Sequence, residues 1–349
     1  MYGAPKMRVL VTGGAGYIGS HAVLRLLEDG HTVVSIDNLS RGHAQAEDAL
    51  AKIGGDHYTP IRCDLHETER ITDILTSHSI DVVIHFAAFA EVGESVIHPL
   101  RYYHNNVGGM TSLLQAMDEA NTSRIVFSSS CATYGEPSAE HIPISESTPQ
   151  KPINPYGYSK LQGEMMLRDV AESRRMAGRE FSYAAMRYFN VAGSDRKTRI
   201  GEDHRPESHL IPICLHAALG KRPSMSIYGT DYATPDGTCI RDYVHVEDLI
   251  DAHVRVISAL EPGDERHYNV GIGTGFSVLE CIESTKRVTG VDFPVIEADR
   301  RPGDPPQLYA NAEKIHRELG WTASITDLDK TVESAYRWFK SHPDGWPES

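Results

Sequence analysis

Two short stretches hold the side chains best suited to chemistry: Ser128–Gly135, reading SSSCATYG, and Asn154–Lys160, reading NPYGYSK. Tyr156 and Lys160 stand four positions apart, so on a helix both rise from one face. An ammonium beside a phenol favours the phenolate and lowers the tyrosine pKa from its usual value of about 10, giving a base usable near neutrality. A hydroxyl at the end of a neighbouring strand, within Ser128, Ser129 and Ser130, could hydrogen-bond the same substrate oxygen. A YxxxK spacing alone recurs by accident on amphipathic helices, so its weight comes from what precedes it in the chain.

What precedes it is Met7–His21, MRVLVTGGAGYIGSH. Val9, Leu10 and Val11 form a strand that stops at glycine, and Ile18, Ala22, Val23, Leu26 and Leu27 follow at helical spacing. Gly13, Gly14, Gly16 and Gly19 between them suit a phosphate cradle: a tight turn, a close backbone approach to a pyrophosphate, and packing of helix on strand. A second strand, HTVVSID, ends in Asp37, eighteen residues after Gly19, where a carboxylate would grip a ribose 2′-hydroxyl. The same carboxylate repels a 2′-phosphate, so the expected cofactor is NAD and not NADP. The competing reading, a strand-end acid in solvent, fits this spacing less well.

The positioning elements alternate in the first half. Strands are expected at Met7–Thr12, His57–Arg62, DVVIHF, Arg124–Ser128 and Phe181–Arg187, with helices over Glu67–Ser77, Pro99–Ala120 and Asn154–Arg174. This βαβα rhythm predicts an α/β fold, a Rossmann-type doubly wound parallel sheet. After Tyr188-Phe189-Asn190 turn residues accumulate, as in GSDRKTRIGEDHRPES and DRRPGDPP. A strand at Met225–Tyr228 and helices at Val246–Ala259 and Val278–Thr289 suggest a smaller mixed α/β lobe covering the nucleotide crevice.

Composition narrows the function classes. The chain has 349 residues, 40% hydrophobic, and a net charge of −14, which argues against a nucleic-acid or anionic-lipid surface. No run reaches the ~18–20 apolar residues of a membrane span. The leader MYGAPK lacks a secretory pattern, and the five widely spaced cysteines include no CxxC pair, so a reducing cytoplasm is expected. Eighteen histidines show no recognisable metal-ligand spacing, and no metal is expected.

The motifs TGGAGYIGSH, HFAA, YYHNNV, SSSCATYGEP, NPYGYSK, RYFNVAGSD, GTCIRDYVHVEDL and RRPGD, in this order, resemble the extended short-chain dehydrogenases, and most closely the UDP-glucose and UDP-arabinose (xylose) 4-epimerase group. The resemblance runs from about Met7 to Trp338. It implies that Gly13, Gly16, Tyr17 and Ile18 bind the NAD pyrophosphate, Asp37 and Asn38 the adenosine ribose, and Asp64 and Leu65 flank adenine. Phe86, Ala87, Ala88 and Asn105 would line the cofactor path, with Ser128 in support and Tyr188 near the nicotinamide. Ser130, Tyr156 and Lys160 would be catalytic, with Lys160 also touching the nicotinamide ribose. Asn190, His209, Leu210, Tyr228, Arg241, Arg301 and Asp304 match positions that hold uridine diphosphate, although an ion pair of Arg241 with Asp242 or Asp248 stays open. Leu308 would border the sugar 2-substituent. Residues 7–188, with a returning segment near 240–262, would form the NAD-binding domain, and 189–349 mainly the nucleotide-sugar lobe.

The resemblance also implies a homodimer pairing Pro99–Ala120 with Asn154–Arg174, and epimerisation of UDP-glucose and UDP-galactose, or of UDP-xylose and UDP-arabinose, through a 4-keto sugar. Departures include Ala90 where lysine is frequent, and His209 where asparagine is usual. A nucleotide-sugar dehydratase is the near rival, but it needs a carboxylate beside the catalytic hydroxyl, and Cys131, Ala132 and Thr133 follow Ser130. A net-redox dehydrogenase and a catalytically silent NAD-binding regulator are the remaining alternatives, the last at odds with the intact Ser, Tyr and Lys.

Overall fold

Apolar runs buried on both faces need helices on both sides, and the chain provides them. The computed structural model describes residues 6–301 and 304–347; the first five residues of the leader, and Pro302 and Gly303 of the RRPGD motif, lie outside the described residues. Seven parallel strands form the main sheet: β1 (Arg8–Thr12), β2 (Thr32–Asp37), β3 (Tyr58–Arg62), β4 (Val82–His85), β5 (Arg124–Ser130), β6 (Ser182–Tyr188) and β7 (Glu265–Val270). Their order is β3-β2-β1-β4-β5-β6-β7, with every neighbouring pair parallel. The order reverses between β1 and β4, which places a crevice outside their carboxyl ends.

One face of the sheet packs on the helices Tyr17–Glu28 and Val246–Ala259 through Val9, Val11, Val23, Leu26, Leu249 and Val256. The other packs on Thr68–Ser77 and Gly109–Glu119 through Leu10, Val34, Ile71, Leu113 and Phe127. The chain leaves the sheet at Tyr188 and returns to it: helix Val246–Ala259 lies against Tyr17–Glu28 and leads into β7. The expected strand Arg124–Ser128 runs two residues further, to Ser130, and the expected helix from Pro99 contains a π-helical stretch at Tyr103–Gly108.

Beyond the main sheet the strands are short. Asn190–Ala192 pairs with Tyr243–His245, Ile240–Arg241 lies between Phe276–Ser277 and Gln307–Leu308, and Met225–Tyr228 pairs with Val295–Ala298. Helices Leu210–Ala218 and Val278–Thr289 close over a separate small core of Cys214, Met225, Ile227, Ile282 and Phe293. Among the described residues, no helix is long and apolar enough to cross a membrane.

Candidate active site

The glycine turn is shaped by what a side chain would strike. Gly13 has φ +73°, and a Cβ there would lie 2.8 Å from the Ala87 nitrogen; a Cβ on Gly19 would lie 2.0 Å from the Gly13 carbonyl oxygen. Gly16 caps the helix Tyr17–Glu28 without a side-chain bond, and the first turn holds no acid. Its amino end therefore keeps N–H groups for an anion. Tyr17 donates its hydroxyl to the Gly193 carbonyl at 2.5 Å, which fixes the first helical residue, and Ile18 packs against the core beside it.

Asp37 ends β2 with its carboxylate nearly buried, accepting from the Ala15 N–H at 3.0 Å and the Leu39 N–H at 2.8 Å. Burial pushes its pKa up, and these two donors pull the other way. Asn38 donates to Asp64 at 2.6 Å, and Leu65 is buried behind it. Phe86, Ala87 and Ala88 continue from β4 past the Gly13 turn, and Asn105 donates to Asn106 at 2.9 Å in the π stretch. Cradle glycines, uncapped helix and strand-end carboxylate together fit a dinucleotide with a free 2′-hydroxyl.

Ser130 ends β5 as the register partner of Tyr188. The helix Pro155–Met176 opens with Asn154 accepting from the Gly157 N–H at 2.8 Å and proline at the first helical position. A Cβ on Gly157 would lie 2.5 Å from the Ala132 carbonyl oxygen, so only glycine lets this helix start approach the chain just after Ser130. That close approach sets the Ser130 hydroxyl beside the Tyr156 phenol, close enough to pull its pKa down against burial. Lys160 is 3% exposed and donates to the Ser128 carbonyl at 2.7 Å, while the Ser128 hydroxyl meets that of Tyr188.

The electrostatics correct the expectation for this pair. Burial raises the Tyr156 pKa well above its ordinary value, with the Ser130 bond acting against it, and burial alone lowers Lys160 to about 7. The Lys160 nitrogen sits 5.9 Å from the Tyr156 ring centroid, and loss of solvent is the largest influence on both groups. In the chain by itself the tyrosine is neutral, and reaching the phenolate takes further positive charge.

Behind Ser130 lies a buried network that the sequence does not announce. Arg187 meets Glu164 at 2.6 Å, Ser129 donates to the same carboxylate at 2.5 Å, and Arg187 also donates to Tyr134 at 2.9 Å. It ties β5, β6 and the Pro155–Met176 helix together one residue from the Ser130 hydroxyl. The bonded pairs lie 23, 35 and 53 positions apart along the chain, so no local pattern signals them.

On the second lobe, Arg241 forms an ion pair with Asp304. Asp242 and Asp248 serve elsewhere: Asp242 accepts from the N–H groups of Ile272, Gly273 and Ala310, and Asp248 from Ser324 and Ile325. The Arg301 guanidinium lies 3.9 Å from the Tyr228 ring centroid, and Arg301 and Asp304 line a cavity of about 530 Å³ with Glu136, Tyr232 and Arg300. A second cavity, of about 370 Å³ near His267 and Lys314, is lined by none of the predicted residues. Leu308 is the register partner of Arg241 and packs with Cys131, Tyr134 and Phe189. Arg241 acts electrostatically on Cys131, the neighbour of Ser130. These contacts bring Arg241, Asp304 and Leu308 toward Ser130, Tyr156 and Lys160. Asn190 is exposed and donates its N–H to the Asp242 carbonyl, and Leu210 opens the helix Leu210–Ala218. His209 precedes that helix with Nδ1 committed to Glu207 at 2.9 Å, leaving Nε2 for any other partner.

Comparison with known proteins follows the same lines. The model of the NAD dependent epimerase/dehydratase family matches residues 9–271. The chain is 49% identical to a UDP-glucose 4-epimerase of Halalkalibacterium halodurans, over 97% of its own length and 98% of the relative's. It is 46% identical to a probable UDP-arabinose 4-epimerase of Oryza sativa subsp. japonica, over 97% of this chain and 83% of that one. A crystal structure of UDP-glucose 4-epimerase from Stenotrophomonas maltophila, with bound NAD and formylated UDP-arabinopyranose, superimposes with a TM-score of 0.90 at 38% identity, covering 97% of this chain and 99% of that one.

Proposed function

Because the chain belongs to the NAD dependent epimerase/dehydratase family, we propose that it is an NAD-dependent UDP-sugar 4-epimerase. Its substrates are UDP-glucose and UDP-galactose and, as a second pair, UDP-xylose and UDP-arabinose. The observation that carries this reading is the meeting of Ser130, Tyr156 and Lys160 beside the glycine cradle, at the carboxyl end of the sheet. The pentose pair is supported by the arabinose-enzyme relative and by the neighbour solved with a UDP-arabinopyranose.

NAD would be held by Gly13, Gly16, Asp37 and Lys160, and when bound it supplies a hydride acceptor and donor together with a positive charge that favours the Tyr156 phenolate. Tyr156 takes the proton of the sugar 4-hydroxyl and later returns it to O4 of the 4-keto sugar, giving the alcohol inverted at C4. Ser130 shares that hydrogen bond, so its contribution falls on the transition state. Arg241 and Arg301 grip the diphosphate, and Asp304 holds the Arg241 fork in place. A firm diphosphate grip with few contacts to the sugar is what allows the transient 4-keto ring to turn over between the two steps.

The proposed cofactor domain comprises residues 7–188 together with the segment that returns to the sheet, and the proposed sugar lobe most of the remainder. A homodimer is proposed from the exposed apolar side chains Val96, Ile97, Leu100, Tyr158 and Met165 on the helices around Pro99 and Pro155. A reducing, cytoplasmic setting is proposed from five unpaired cysteines, four of them buried. Incubation with UDP-galactose and with UDP-arabinose, followed by separation of the sugars, tests the function. The expected result is a mixture of C4 epimers with no net NADH; steady accumulation of NADH or of a dehydrated sugar would refute it.

A further inference from the structure

We propose that Glu202, His204, Glu207 and His209 form a structural site for one divalent transition-metal ion, zinc foremost, in the loop between the strand Asn190–Ala192 and the helix Leu210–Ala218, beside Tyr17 of the glycine cradle. Each residue offers one ligand atom, and these atoms all lie within 4.8 Å of one another. The approaches are 3.0 Å from His204 Nδ1 to Glu202 Oε1, 3.2 Å from His209 Nδ1 to the same oxygen, 2.9 Å from His209 Nδ1 to Glu207 Oε1 and 3.8 Å from His204 Nδ1 to Glu207 Oε2. A tetrahedron with bonds of ~2.0–2.1 Å has edges of about 3.3 Å; the nearer pairs already stand at about that separation, and the wider ones, within 4.8 Å, would close in on binding. Two imidazoles and two carboxylates are a donor set that zinc takes readily and magnesium or calcium does not.

A second observation separates this from a pair of ordinary ion pairs. The Glu207 side chain is 5% exposed, yet its Oε2 is buried without a hydrogen-bond partner. His209 is bonded to the other oxygen of the carboxylate, and a buried charged oxygen left unpaired is costly. A bound cation removes that cost. The surroundings are rigid: the Glu202 carbonyl accepts from the Trp338 indole at 2.9 Å, the Asp203 carbonyl meets His43 at 2.8 Å, and the His204 ring lies edge-on to Tyr17 at 6.1 Å. An ion here would therefore fix Tyr17 of the cradle and His209 at the start of the second-lobe helix with one set of bonds. The spacing E-x-H-x-x-E-x-H belongs to an irregular loop, which is why no helical or paired-ligand signature announces it.

The protein, produced without a histidine tag and purified without chelator, is assayed for metal by mass spectrometry, then stripped with a strong chelator and titrated with zinc or cobalt(II). About one zinc per chain is expected, with a lower Tm after stripping that zinc restores and magnesium does not, and with the visible spectrum of tetrahedral cobalt. His204→Ala and Glu207→Gln should each weaken zinc binding by at least about tenfold, whereas His57→Ala, on the surface elsewhere, should leave it unchanged. Wild-type protein that takes up no zinc and shows no shift in Tm overturns the proposal, as does undiminished zinc binding by both variants. Because the wild-type titration stands alone, a variant that fails to fold leaves the test intact.

Discussion

On the cofactor side of the crevice, groups are held by backbone geometry. Ser130 and Tyr188 are register partners in a ladder, Asp37 is fixed by two N–H groups, and glycines set how closely strand, turn and helix approach. On the proposed sugar side, the groups are held by other side chains: Arg241 by Asp304, and Arg301 against the Tyr228 ring. The difference matches the work required of each. A reacting oxygen and a nicotinamide must be placed within fractions of an ångström, whereas a nucleotide diphosphate can be gripped by pliant arms while its sugar turns.

The largest expected effect comes from breaking the rigid side. Tyr156→Phe should reduce kcat by about a thousandfold with NAD and UDP binding retained, and Ser130→Ala by about a hundredfold. Steady-state rates beside UDP titration of each variant check this, and near-normal epimerisation by Tyr156→Phe contradicts it. Next is the cradle. Gly13→Ala forces a φ of +73° on a side chain that also meets Ala87, at a cost of about 1–3 kcal/mol. Its dinucleotide content, measured after denaturation, should fall while UDP affinity holds.

On the pliant side the effects should be smaller and confined to substrate. Asp304→Asn should raise KM for UDP-sugars by about tenfold with kcat and bound NAD little changed, because it frees the Arg241 fork without touching the reacting atoms. The smallest effect concerns Leu308. The native enzyme should act well on UDP-glucose and weakly on UDP-N-acetylglucosamine, and Leu308→Tyr should suppress the second by a further factor of about ten while sparing the first. Equal loss on both would mean that Leu308 packs against Phe189 and Tyr134 and does not gate.

How much of this could be read from the sequence follows the same division. The Gly13 turn, the carboxylate at Asp37 and the Tyr156–Lys160 spacing were legible because each is set by local geometry: a positive φ, a strand length, a helical repeat. Strands of two residues, such as Ile240–Arg241, carry no period to detect. The Asp304 partner of Arg241 lies 63 positions away, so an ion pair with adjacent Asp242 was an equally natural expectation. Glu164 behind Ser129 was silent for the same reason, and the His204–Glu207 cluster because its spacing falls in an irregular loop. The protonation of the catalytic pair was misjudged because burial, which raises Tyr156 and lowers Lys160, is a property of the packed fold and not of the four-residue spacing.

The central claim is that hydrogen leaves C4 of the sugar as hydride and comes back to it within one active site. UDP-galactose carrying deuterium at C4, incubated with the protein in ordinary water, tests this most directly by mass and proton resonance of the recovered UDP-glucose. The account predicts that the product keeps its deuterium at C4. Washout of the label into water would contradict it, since that result requires removal of a proton from carbon and a different chemistry altogether.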